Sequence, residues 1–383
     1  MRVGLVIESF DARRGGAEQW TCQFAAQLAS AGHDVHVLAR SFREPLGLPL
    51  TAHRLTGAEG RLGFPAAAEA FARRLAVDVV HDMGAGWHCD VFQPHGGSRR
   101  AAHEQNLLLV PQAVRRLKRA MSGVLPRYGQ FERLVARQYA GDRKIFIALS
   151  RMVERDFRQY HDLRPDQIRL VYNGVDVERF TPDGRAQERD RIRQHLGVRS
   201  STLLVLIAAH NFRLKGVPTL IRAIGKLVGG GLDVHLVVAG GKRLTSAARL
   251  AVATGAARNV TLVGNVADMR PLYAAADVYA QPTFYDPCSL VVLEAWASGL
   301  PVITTPFNGA SELMTPGVEG LVLEDPASAD ALTSLLLQLT DERIRHRMGI
   351  AARQLALRHT LERNCREIVA IYEERFGELR KAA

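Results

Sequence analysis

Residues Val278-Tyr-Ala-Gln281, Asp286-Pro-Cys-Ser-Leu-Val-Val-Leu-Glu294 and Val302-Ile-Thr304 follow one another closely along the chain. The first and last runs are short and apolar and predict strands. Between them, Pro287 predicts a turn, because proline is poorly tolerated inside a helix. The apolar residues after it predict a helix. Two strands joined through a helix are the repeating unit of a parallel sheet. The stretch therefore predicts an α/β fold.

The same alternation of short β-branched runs and longer amphipathic stretches extends over the whole chain. Because the strand-like runs are almost continuously hydrophobic, they predict parallel sheets that are covered on both faces. The runs form two series, which predict two doubly wound, Rossmann-like domains. The first series is Val3–Ile7, Val35–Ala39, Val77–His81, Ile145–Leu149 and Ile168–Val171, and the second is Leu203–Ala208, Val234–Ala239, Val260–Val263, Val278–Gln281, Val302–Thr304 and Leu321–Leu323.

A polar stretch rich in turn residues, from Phe180 to Asp190, separates the two series. We therefore predict an N-terminal domain over residues 1–180 and a C-terminal domain over residues 196–360. A ligand is expected in a deep cleft between them, at the carboxyl ends of both sets of strands. The last helical stretch, about 361–383, has apolar residues at helical spacing and predicts a helix that packs back on the first domain.

Composition excludes several classes of protein. The 383 residues suit two α/β domains rather than one core, and 47% of them are hydrophobic, so the chain is not disordered. The four cysteines have no CxxC spacing, which argues against a zinc site or a disulfide framework and predicts a reducing cytoplasm. The N-terminus reaches Glu8 too early for a signal peptide, and no apolar run approaches the roughly 18 residues that span a bilayer.

The formal net charge is +11, and much of the excess lies between residues 99 and 144, which hold eleven Lys or Arg and three acids. Within this basic segment, Arg115, Arg116, Lys118 and Arg119 alternate with apolar residues at helical spacing. That pattern is typical of a helix on an anionic membrane surface, although a solvated basic face packed by Leu117 gives the same pattern. The segment contains no recognisable nucleic-acid module and few aromatics for stacking, so nucleic acid is not an expected partner.

Two carboxylates lie eight residues apart in the opening stretch, Asp286 in the turn and Glu294 in the helix. One acid can reach a ligand from a loop while the helix holds the other in place. The backbone N–H groups of Cys288, Ser289 and Leu290 lie between them at the positive end of the helix, where anions bind. A nucleotide sugar has hydroxyl groups at both ends and a diphosphate in the middle. The two acids would bind the hydroxyl groups, and the anion site between them would bind the diphosphate.

The first strand of each series is followed by a segment suited to the same ligand. Gly15-Gly16 opens the first helix, so that bare backbone can approach a substrate, although half of such pairs are merely tight turns. The absence of GxGxxG disfavours a nicotinamide-dependent dehydrogenase. In the second domain, Arg213 and Lys215 fit a diphosphate whose charge rises as its bond to a sugar breaks. Taken alone, two such cations are more often solvated loop residues.

His95 lies in the segment Phe92-Gln-Pro-His-Gly-Gly-Ser98. The flanking proline and glycines predict an exposed loop, in which the imidazole can donate a hydrogen bond instead of packing in an apolar core. Because the loop belongs to the first domain, we expect His95 to face the cations and carboxylates of the second.

These segments together resemble the retaining, two-domain glycosyltransferases of family 4, which have the GT-B architecture. The resemblance covers essentially the whole chain. It rests on Gly15–Glu18, His95-Gly96, Tyr172–Asp176 with Phe180, Arg213 with Lys215-Gly216, Ala276-Asp277, and Glu294-Ala295 with Gly299–Val302.

The resemblance implies roles for the residues already named. Arg213 and Lys215 would bind the donor diphosphate and Glu294 the ribose hydroxyls. Asp286 would bind the hydroxyls of the transferred sugar, and His95 would contact that sugar or support the reacting centre. Gly15 and Gly16 would border the diphosphate and the acceptor.

Asp286 departs from the family, whose paired acids are usually two glutamates in an EX7E arrangement. Because the aspartate side chain is one methylene shorter, the sugar must lie closer or the loop must move inward. Either change could alter which sugar is accepted.

Within the family, the nearest resemblance is to the lipopolysaccharide core glucosyltransferase I group. It rests on Arg127-Tyr128, Phe131–Arg133, Asn211–Gly216 and Phe307–Ala310. The resemblance implies a retaining transfer of a hexose, glucose, from a UDP-sugar to a hydroxyl of a membrane-associated glycolipid such as lipopolysaccharide core. It also implies a peripheral protein on the cytoplasmic face of the inner membrane.

We expect neither a metal nor another cofactor, since the cations already neutralise the diphosphate and no DxD-type pair follows a suitable strand. Two alternatives stay open. One is a nucleotide-sugar epimerase of the same architecture, and the other is a catalytically silent, UDP-binding membrane scaffold.

Overall fold

The computed structural model describes residues 1–43, 47–57, 59–121, 126–241 and 244–382, and of residues 117–121, 126 and 378–382 it describes only the backbone. The chain forms two compact units. The first contains Met1–Tyr172 together with Glu362–Ala383, and the second contains Asn173–Leu361.

In the described part of the first unit, seven strands form one parallel sheet and two further strands pair beside it. The order in the large sheet is β5-β3-β1-β6-β7-β8-β9, and β2 pairs with β4. The strands are β1 (Arg2–Val6), β2 (Ser9–Phe10), β3 (Asp34–Ala39), β4 (Ser41–Phe42), β5 (Thr51–Arg54), β6 (Val79–Asp82), β7 (Val91–Phe92), β8 (Ile145–Ala148) and β9 (Ile168–Leu170).

Helices connect these strands. They are α1 (Gly16–Ser30), α2 (Gly60–Ala72), α3 (Arg99–Leu108), α4 (Gln112–Met121), α5 (Pro126–Gln138) and α6 (Arg151–His161), with a 3-10 turn at Pro165–Gln167. Helix α1 buries Phe24 and Leu28 against the sheet, and the side chain of Ser150 caps α6 by accepting a hydrogen bond from the Val153 amide.

The described strands of the second unit form a six-stranded parallel sheet in the order β12-β11-β10-β13-β14-β15. They are β10 (Leu203–Ala208), β11 (Val234–Ala239), β12 (Val260–Gly264), β13 (Val278–Ala280), β14 (Val302–Thr304) and β15 (Gly320–Val322). Every residue of β11 is buried, as expected for a strand covered on both faces.

The helices of the second unit are α7 (Arg185–Leu196), α8 (Val217–Gly229), α9 (Leu244–Ala253), α10 (Arg270–Ala275), α11 (Leu290–Ala297), α12 (Ala329–Gln338) and α13 (Glu342–Arg358). Two 3-10 turns, Ala257–Asn259 and Gly309–Leu313, complete the connections. The buried face of α8, with Leu220, Ile221 and Ile224, packs into one core with Val205 and Leu236 of the sheet.

The last helix, α14 (Leu361–Ala382), belongs almost entirely to the first unit. Trp20 of α1 donates from Nε1 to Asn364 Oδ1 at 3.1 Å, and the Tyr372 hydroxyl lies 2.5 Å from His81 Nδ1. Because His81 and Tyr372 are fully buried, α14 completes the core of the first unit.

The division between the units falls earlier than the sequence suggests. Asn173 donates from Nδ2 to the Cys288 carbonyl at 2.7 Å, and Val175 pairs with Thr360. These contacts attach the chain to the second unit directly after Tyr172, so the polar stretch from Phe180 lies inside that unit.

The two predicted parallel sheets are confirmed, with strand bounds that differ by no more than two residues. The strands that the sequence did not predict include β5, whose residues are mostly exposed and show little hydrophobic pattern. In both sheets the strand order reverses beside the first strand, between β1 and β6 and between β10 and β13. Ligands of doubly wound sheets bind at the carboxyl edge next to such a reversal.

Candidate active site

The loop after β10 carries the two predicted cations and ends at Gly216. Gly216 has φ +74°, and a Cβ there would lie 1.9 Å from the Pro282 carbonyl oxygen. Only glycine permits this approach, because any side chain would collide with backbone. The loop after β10 is thereby pressed against the loop after β13.

Hydrogen bonds fix the same two loops together. Leu214 accepts from the Phe284 amide at 2.8 Å and from the Thr283 hydroxyl at 3.0 Å. Lys215 Nζ then donates to Asp286 Oδ2 at 2.5 Å and to the Tyr285 carbonyl at 3.2 Å. The side chains of Lys215 and Asp286 are 20% and 12% exposed, so this ion pair is largely shielded from water.

Arg213 lies on the exposed side of the same loop, two residues before Lys215. Its backbone carbonyl accepts from the Gly216 amide at 3.2 Å, which places it in the turn that begins α8. The structure therefore brings Lys215 and Asp286 into contact and leaves Arg213 beside them, facing solvent.

Backbone pairing holds Asp286 in place. Its amide donates to the Phe307 carbonyl and its carbonyl accepts from Gly309, both at 2.8 Å. Gln281, at the end of β13, lies 3.4 Å from Asp286 Oδ2 through Nε2. The loop that carries the carboxylate is thus fixed by backbone pairing to the segment after β14.

The turn before α11 departs from its predicted role in one respect. The Ser289 amide, expected to face an anion, instead donates to Asn308 Oδ1 at 3.2 Å, and the Ser289 hydroxyl donates to Gln281 Oε1 at 2.9 Å. Asn308 also accepts from the Ala310 amide. Ser289 therefore has a structural role, because the side chain of Asn308, in the segment after β14, accepts the hydrogen bond of its amide.

Cys288 and Leu290 flank Ser289. Burial raises the pKa of the Cys288 thiol, which keeps it protonated, and its carbonyl accepts from Asn173. Leu290 is the first residue of α11, where a helix has backbone N–H groups without partners inside the helix. Of the three amides predicted to bind an anion, that of Ser289 already has a hydrogen-bond partner. The start of α11 is where an anion can still bind.

Glu294 lies one turn further along α11 and is buried, with 6% of its surface exposed. The Tyr273 hydroxyl donates to Glu294 Oε2 at 2.8 Å and also lies 3.2 Å from the Val291 carbonyl. Burial first, and then the Glu294 charge, raises the pKa of Tyr273 well above its ordinary value, so the phenol stays a donor. The carboxylate is held in one orientation, as recognition of a diol requires.

In the first unit, Gly15 is the N-cap of α1 and Gly16 its first residue, as predicted. Gly15 is extended, with no side-chain cap, so the helix start presents backbone only. One turn along, the Trp20 ring lies 4.6 Å from the His95 ring between centroids. The helix that Gly15-Gly16 opens and the His95 loop therefore meet within one unit.

The expected exposure of His95 is wrong. The residue is half-buried against Trp20, and its Nε2 atom is buried without a hydrogen-bond partner among the described residues. Burial lowers the pKa of His95 to about 3, so the imidazole is neutral at physiological pH. A neutral ring can still donate one hydrogen bond to a ligand.

Two buried polar residues lie at the ends of the adjoining strands, and sequence reasoning missed both. His81 is the next-to-last residue of β6, and Gln93 directly follows β7. Both are fully buried, and His81 Nε2 and both side-chain polar atoms of Gln93 lack partners among the described residues. The signal was available, because polar residues at the carboxyl ends of parallel strands are candidates for a site.

The basic segment is only partly a surface feature. Lys144 is 7% exposed and donates to the Trp87 and Gln138 carbonyls, and Arg99 donates to the Gly84 carbonyl at 2.7 Å. These cations are structural. Their hydrogen bonds go to groups inside the unit, and Arg99 is half-buried.

Helix α4 retains the surface character that the sequence predicts. Arg116 is exposed, Val114 is 41% exposed, and Arg115 is half-buried and donates to the Leu108 carbonyl at 3.1 Å. The side chains of Lys118 and Arg119 lie outside the described part of the structure. Among its described side chains, α4 therefore exposes both a cation and an apolar residue.

Among the described residues, no group of three His, Cys, Asp or Glu side chains is placed to hold a metal ion. In the same part of the chain, no helix is both long and apolar enough to cross a bilayer.

Two family models match successive parts of the chain. Residues 14–179 match "Glycosyltransferase Family 4", and residues 201–342 match "Glycosyl transferases group 1". Between them they leave residues 1–13, 180–200 and 343–383 unmatched.

Curated relatives match part of their own length. A D-inositol 3-phosphate glycosyltransferase of Corynebacterium jeikeium is 30% identical over 255 residues, which are 63% of this chain and 60% of the relative. A GDP-mannose-dependent monoacylated alpha-(1-6)-phosphatidylinositol monomannoside mannosyltransferase of Corynebacterium glutamicum is 35% identical over 191 residues, or 47% of this chain and 49% of the relative. The chain thus spans about half to three fifths of the length of these relatives.

Solved structures match over nearly the whole chain. WaaG, a glycosyltransferase involved in lipopolysaccharide biosynthesis, has a TM-score of 0.82 at 21% identity and covers 97% of this chain and 99% of its own. Anabaena HepE in complex with UDP and glucose has a TM-score of 0.73 at 18% identity, covering 98% and 99%. At these identities the likeness shows the fold, and the fold is GT-B.

Proposed function

Since this chain belongs to the glycosyltransferases of family 4, we propose that it transfers a hexose from a nucleotide sugar to a hydroxyl group of a membrane glycolipid. The observation that carries the proposal is the Lys215–Asp286 contact, one helical segment away from the Glu294–Tyr273 pair. A cation for a diphosphate and two fixed acids for hydroxyl groups lie at one edge of one sheet.

The contacts of Lys215 suit the diphosphate end of the donor. An ammonium group has three N–H donors, and the Tyr285 carbonyl and Asp286 take two of them. The third can donate to a phosphate oxygen, and Arg213 on the same loop adds a second cation from the solvent side. Both interactions strengthen as the phosphate oxygen gains charge in the transition state.

Asp286 and Glu294 suit the hydroxyl groups at the two ends of the donor. Asp286 accepts from the transferred sugar, and Glu294, oriented by Tyr273, accepts from the ribose. We also assign to His95 of the first unit a neutral hydrogen bond to the transferred sugar or support of the reacting centre, and to Gly15 and Gly16 an approach of bare backbone to the substrates. No cofactor takes part in this scheme.

The reaction we propose retains configuration at the sugar carbon. The bond from that carbon to the diphosphate oxygen breaks, and the acceptor oxygen forms its bond on the same face. The proton of the acceptor hydroxyl passes to the departing diphosphate oxygen. The cations stabilise the charge of the leaving group, and we propose that no metal is needed.

For the donor we propose UDP-glucose, although the relatives point in two directions. The HepE structure contains UDP and glucose, whereas the corynebacterial mannosyltransferase is named for GDP-mannose. We expect the choice of sugar to depend on Asp286, whose side chain is shorter than that of the usual glutamate.

For the acceptor we propose a glycolipid such as lipopolysaccharide core, reached at the cytoplasmic face of the inner membrane. The exposed Arg116 and Val114 of α4 support this location. WaaG is described by its part in lipopolysaccharide biosynthesis, and the mannosyltransferase by a phosphatidylinositol acceptor, so membrane lipids recur among the similar proteins.

The proposal is tested by offering the purified protein UDP-glucose, UDP-galactose, UDP-N-acetylglucosamine and GDP-mannose, with and without a lipopolysaccharide-core acceptor. We expect UDP-glucose to be consumed and an α-linked product to form, as read from the anomeric proton by NMR. A sugar isomerised without acceptor would indicate an epimerase. UDP binding with no consumption of any donor would indicate a silent scaffold, and preference for GDP-mannose would overturn the assignment of the donor.

A further inference from the structure

A cavity of about 510 Å³ lies within the second unit, away from the candidate donor site. Thr202, Asp277 and Pro301 line it, and these residues directly precede β10, β13 and β14. Because the sheet is parallel, the cavity lies at the amino ends of the strands, and the Lys215–Asp286 pair lies at their carboxyl ends. The two sites are therefore on opposite edges of one sheet.

The lining of this cavity is strongly cationic. Arg185 and Arg189 of α7 line it, as do Arg345 and Arg353 of α13, with Asp277 and Glu342 as the acids. Asp277 is already engaged, since it lies 2.6 Å from an Arg189 nitrogen and 2.5 Å from the buried Arg193. Even with Glu342, the four lining arginines outnumber the two lining acids, so the cavity keeps a net positive charge.

Part of this arginine cluster has a structural role. Arg185 and Arg189 donate to carbonyl groups at the end of α10, including those of Ala274 and Ala275. Burial first, and then the neighbouring Arg189, lowers the pKa of Arg185 to about 10, which reflects how closely the cations are held. Hydrogen bonding to the carbonyl groups at the end of one helix does not by itself require a whole cluster of arginines.

The two arginines of α13 retain donors for a ligand. Arg345 reaches the Leu339 and Thr340 carbonyls, and Arg353 reaches the Val177, Phe180 and Ala297 carbonyls. Every one of these described bonds uses Nη1. A guanidinium has five N–H donors, so Nε and Nη2 of both side chains keep the forked geometry that binds phosphate oxygens in pairs.

We propose that this cavity binds a small molecule that carries a phosphate group. Its volume lies within the range of about 300–1,000 Å³ that is typical of small-molecule pockets. Arginine is the residue of choice for bidentate phosphate recognition. The concave lining favours a small ligand over a nucleic acid or a membrane surface, which would need a broad exposed face.

Ile350 offers a test that leaves the arginines in place. It lines the cavity and is 55% exposed, so a polar replacement should not disturb the core. Ile350→Glu adds a negative charge next to the arginines, and Ile350→Gln is the neutral control. Arg345→Gln removes one cation and keeps an amide for the two carbonyls.

The experiment is a calorimetric titration with inorganic pyrophosphate at physiological salt, with thermal unfolding as a check of the fold. We expect the affinity to fall about tenfold or more in Ile350→Glu, to fall less in Arg345→Gln, and to match the wild type in Ile350→Gln. Lys215→Ala, at the opposite edge, should retain this binding. Glucose 6-phosphate and adenosine monophosphate, titrated in parallel, separate a sugar phosphate from a nucleotide as the favoured form.

Equal affinity in the wild type and Ile350→Glu overturns the proposal. So does loss of all pyrophosphate binding in Lys215→Ala, because the binding would then belong to the donor site. An absence of binding to the wild type at millimolar pyrophosphate overturns it as well.

Discussion

Lys215 Nζ lies 2.5 Å from Asp286 Oδ2, and the two residues come from loops that follow different strands of the second sheet. The two charges neutralise each other in a site that is largely shielded from water. A diphosphate would share Lys215, and a sugar hydroxyl would supply Asp286 with a donor. Contacts with a donor substrate would thus replace part of the attraction between Lys215 and Asp286, at little cost in electrostatic energy.

Replacing Lys215 with alanine should reduce kcat/KM for sugar transfer by about 100-fold or more, since the leaving group loses a direct cationic contact. The fold should persist, because the loop is held by backbone bonds and by Gly216. Steady-state kinetics measure the first effect and circular dichroism the second. The matched control is Lys226→Ala, which breaks an exposed ion pair with Asp330 and should leave the rate unchanged. Equal rates for wild type and Lys215→Ala would remove Lys215 from the mechanism.

Changing Asp286 to glutamate restores the acid that is usual in the family and lengthens the side chain by one methylene. The backbone at position 286 is fixed by its bonds to residues 307 and 309, so the carboxylate must advance toward the ligand. We expect the ratio of kcat/KM values between two sugar donors to shift by about tenfold, because small differences in pocket length give modest discrimination. Competition assays with paired donors measure the ratio. An unchanged ratio would show that Asp286 does not contact the sugar.

Glu294 and Tyr273 give a graded pair of variants. Glu294→Gln keeps the shape and removes the charge, and we expect the KM for the donor to rise about 10- to 100-fold. Tyr273→Phe removes only the hydrogen bond that orients the carboxylate, and a rise of about fivefold is expected. Titration with the nucleoside diphosphate alone should show the same order. If Tyr273→Phe weakens binding more than Glu294→Gln, the carboxylate is not the contact.

His81 should make the first unit sensitive to acid. Burial lowers its pKa from 6.5 to about 3, so between these pH values the unfolded chain binds a proton that the folded protein does not. The free energy of unfolding attributable to His81 is fully present above pH 6.5 and falls as the pH drops toward 3, by about 1.4 kcal/mol per pH unit.

Urea unfolding between neutral pH and mild acid measures this effect. His81→Gln keeps a hydrogen-bonding group near Tyr372 without titrating, so its stability should depend less steeply on pH. His195→Gln, at an exposed position, is the control and should follow the wild type. Parallel curves for wild type and His81→Gln would contradict the prediction.

The membrane proposal predicts that neutralising the basic face of α4 releases the protein from anionic vesicles. The variant changes Arg115, Arg116, Lys118 and Arg119 to glutamine. Each cation near an anionic surface contributes about 1 kcal/mol, so most of the bound fraction should be lost in flotation at physiological salt. The control variant makes the same change of net charge at exposed arginines of the second unit, Arg249, Arg258, Arg343 and Arg347. Equal flotation of the two variants would count against α4 as the contact.

The sequence predicted the sheets well because their strands are local apolar runs whose pattern carries the fold. Residues Leu203–Ala208 and Val234–Ala239 were bounded without error, since both strands are covered on two faces. The Lys215–Asp286 proximity also follows from topology, because β10 and β13 are neighbours and their carboxyl ends share an edge. Motif spacing and strand order together were enough for this part of the candidate site.

The remainder depends on packing between segments that are distant in sequence. Asn308 takes the Ser289 amide across 19 residues, and no local pattern marks that pairing. Trp20 of helix α1 packs against His95 and half-buries its ring, although the sequence of the His95 loop predicts exposure. Tyr273 orients Glu294 from the helix α10. These partners are visible only once the sheet has set their positions.

Helix α14 has a consequence for biosynthesis. Asn364 and Tyr372 contribute to the core of the first unit, yet the ribosome adds them only after the whole of the second unit has been made. A nascent chain that has reached residue 172 therefore lacks part of the hydrophobic core of its first unit. The apolar surface on which α14 will pack stays exposed, and needs protection, until translation has passed residue 372. Cotranslational assembly should finish with the N-terminal half, in the reverse of the order of synthesis.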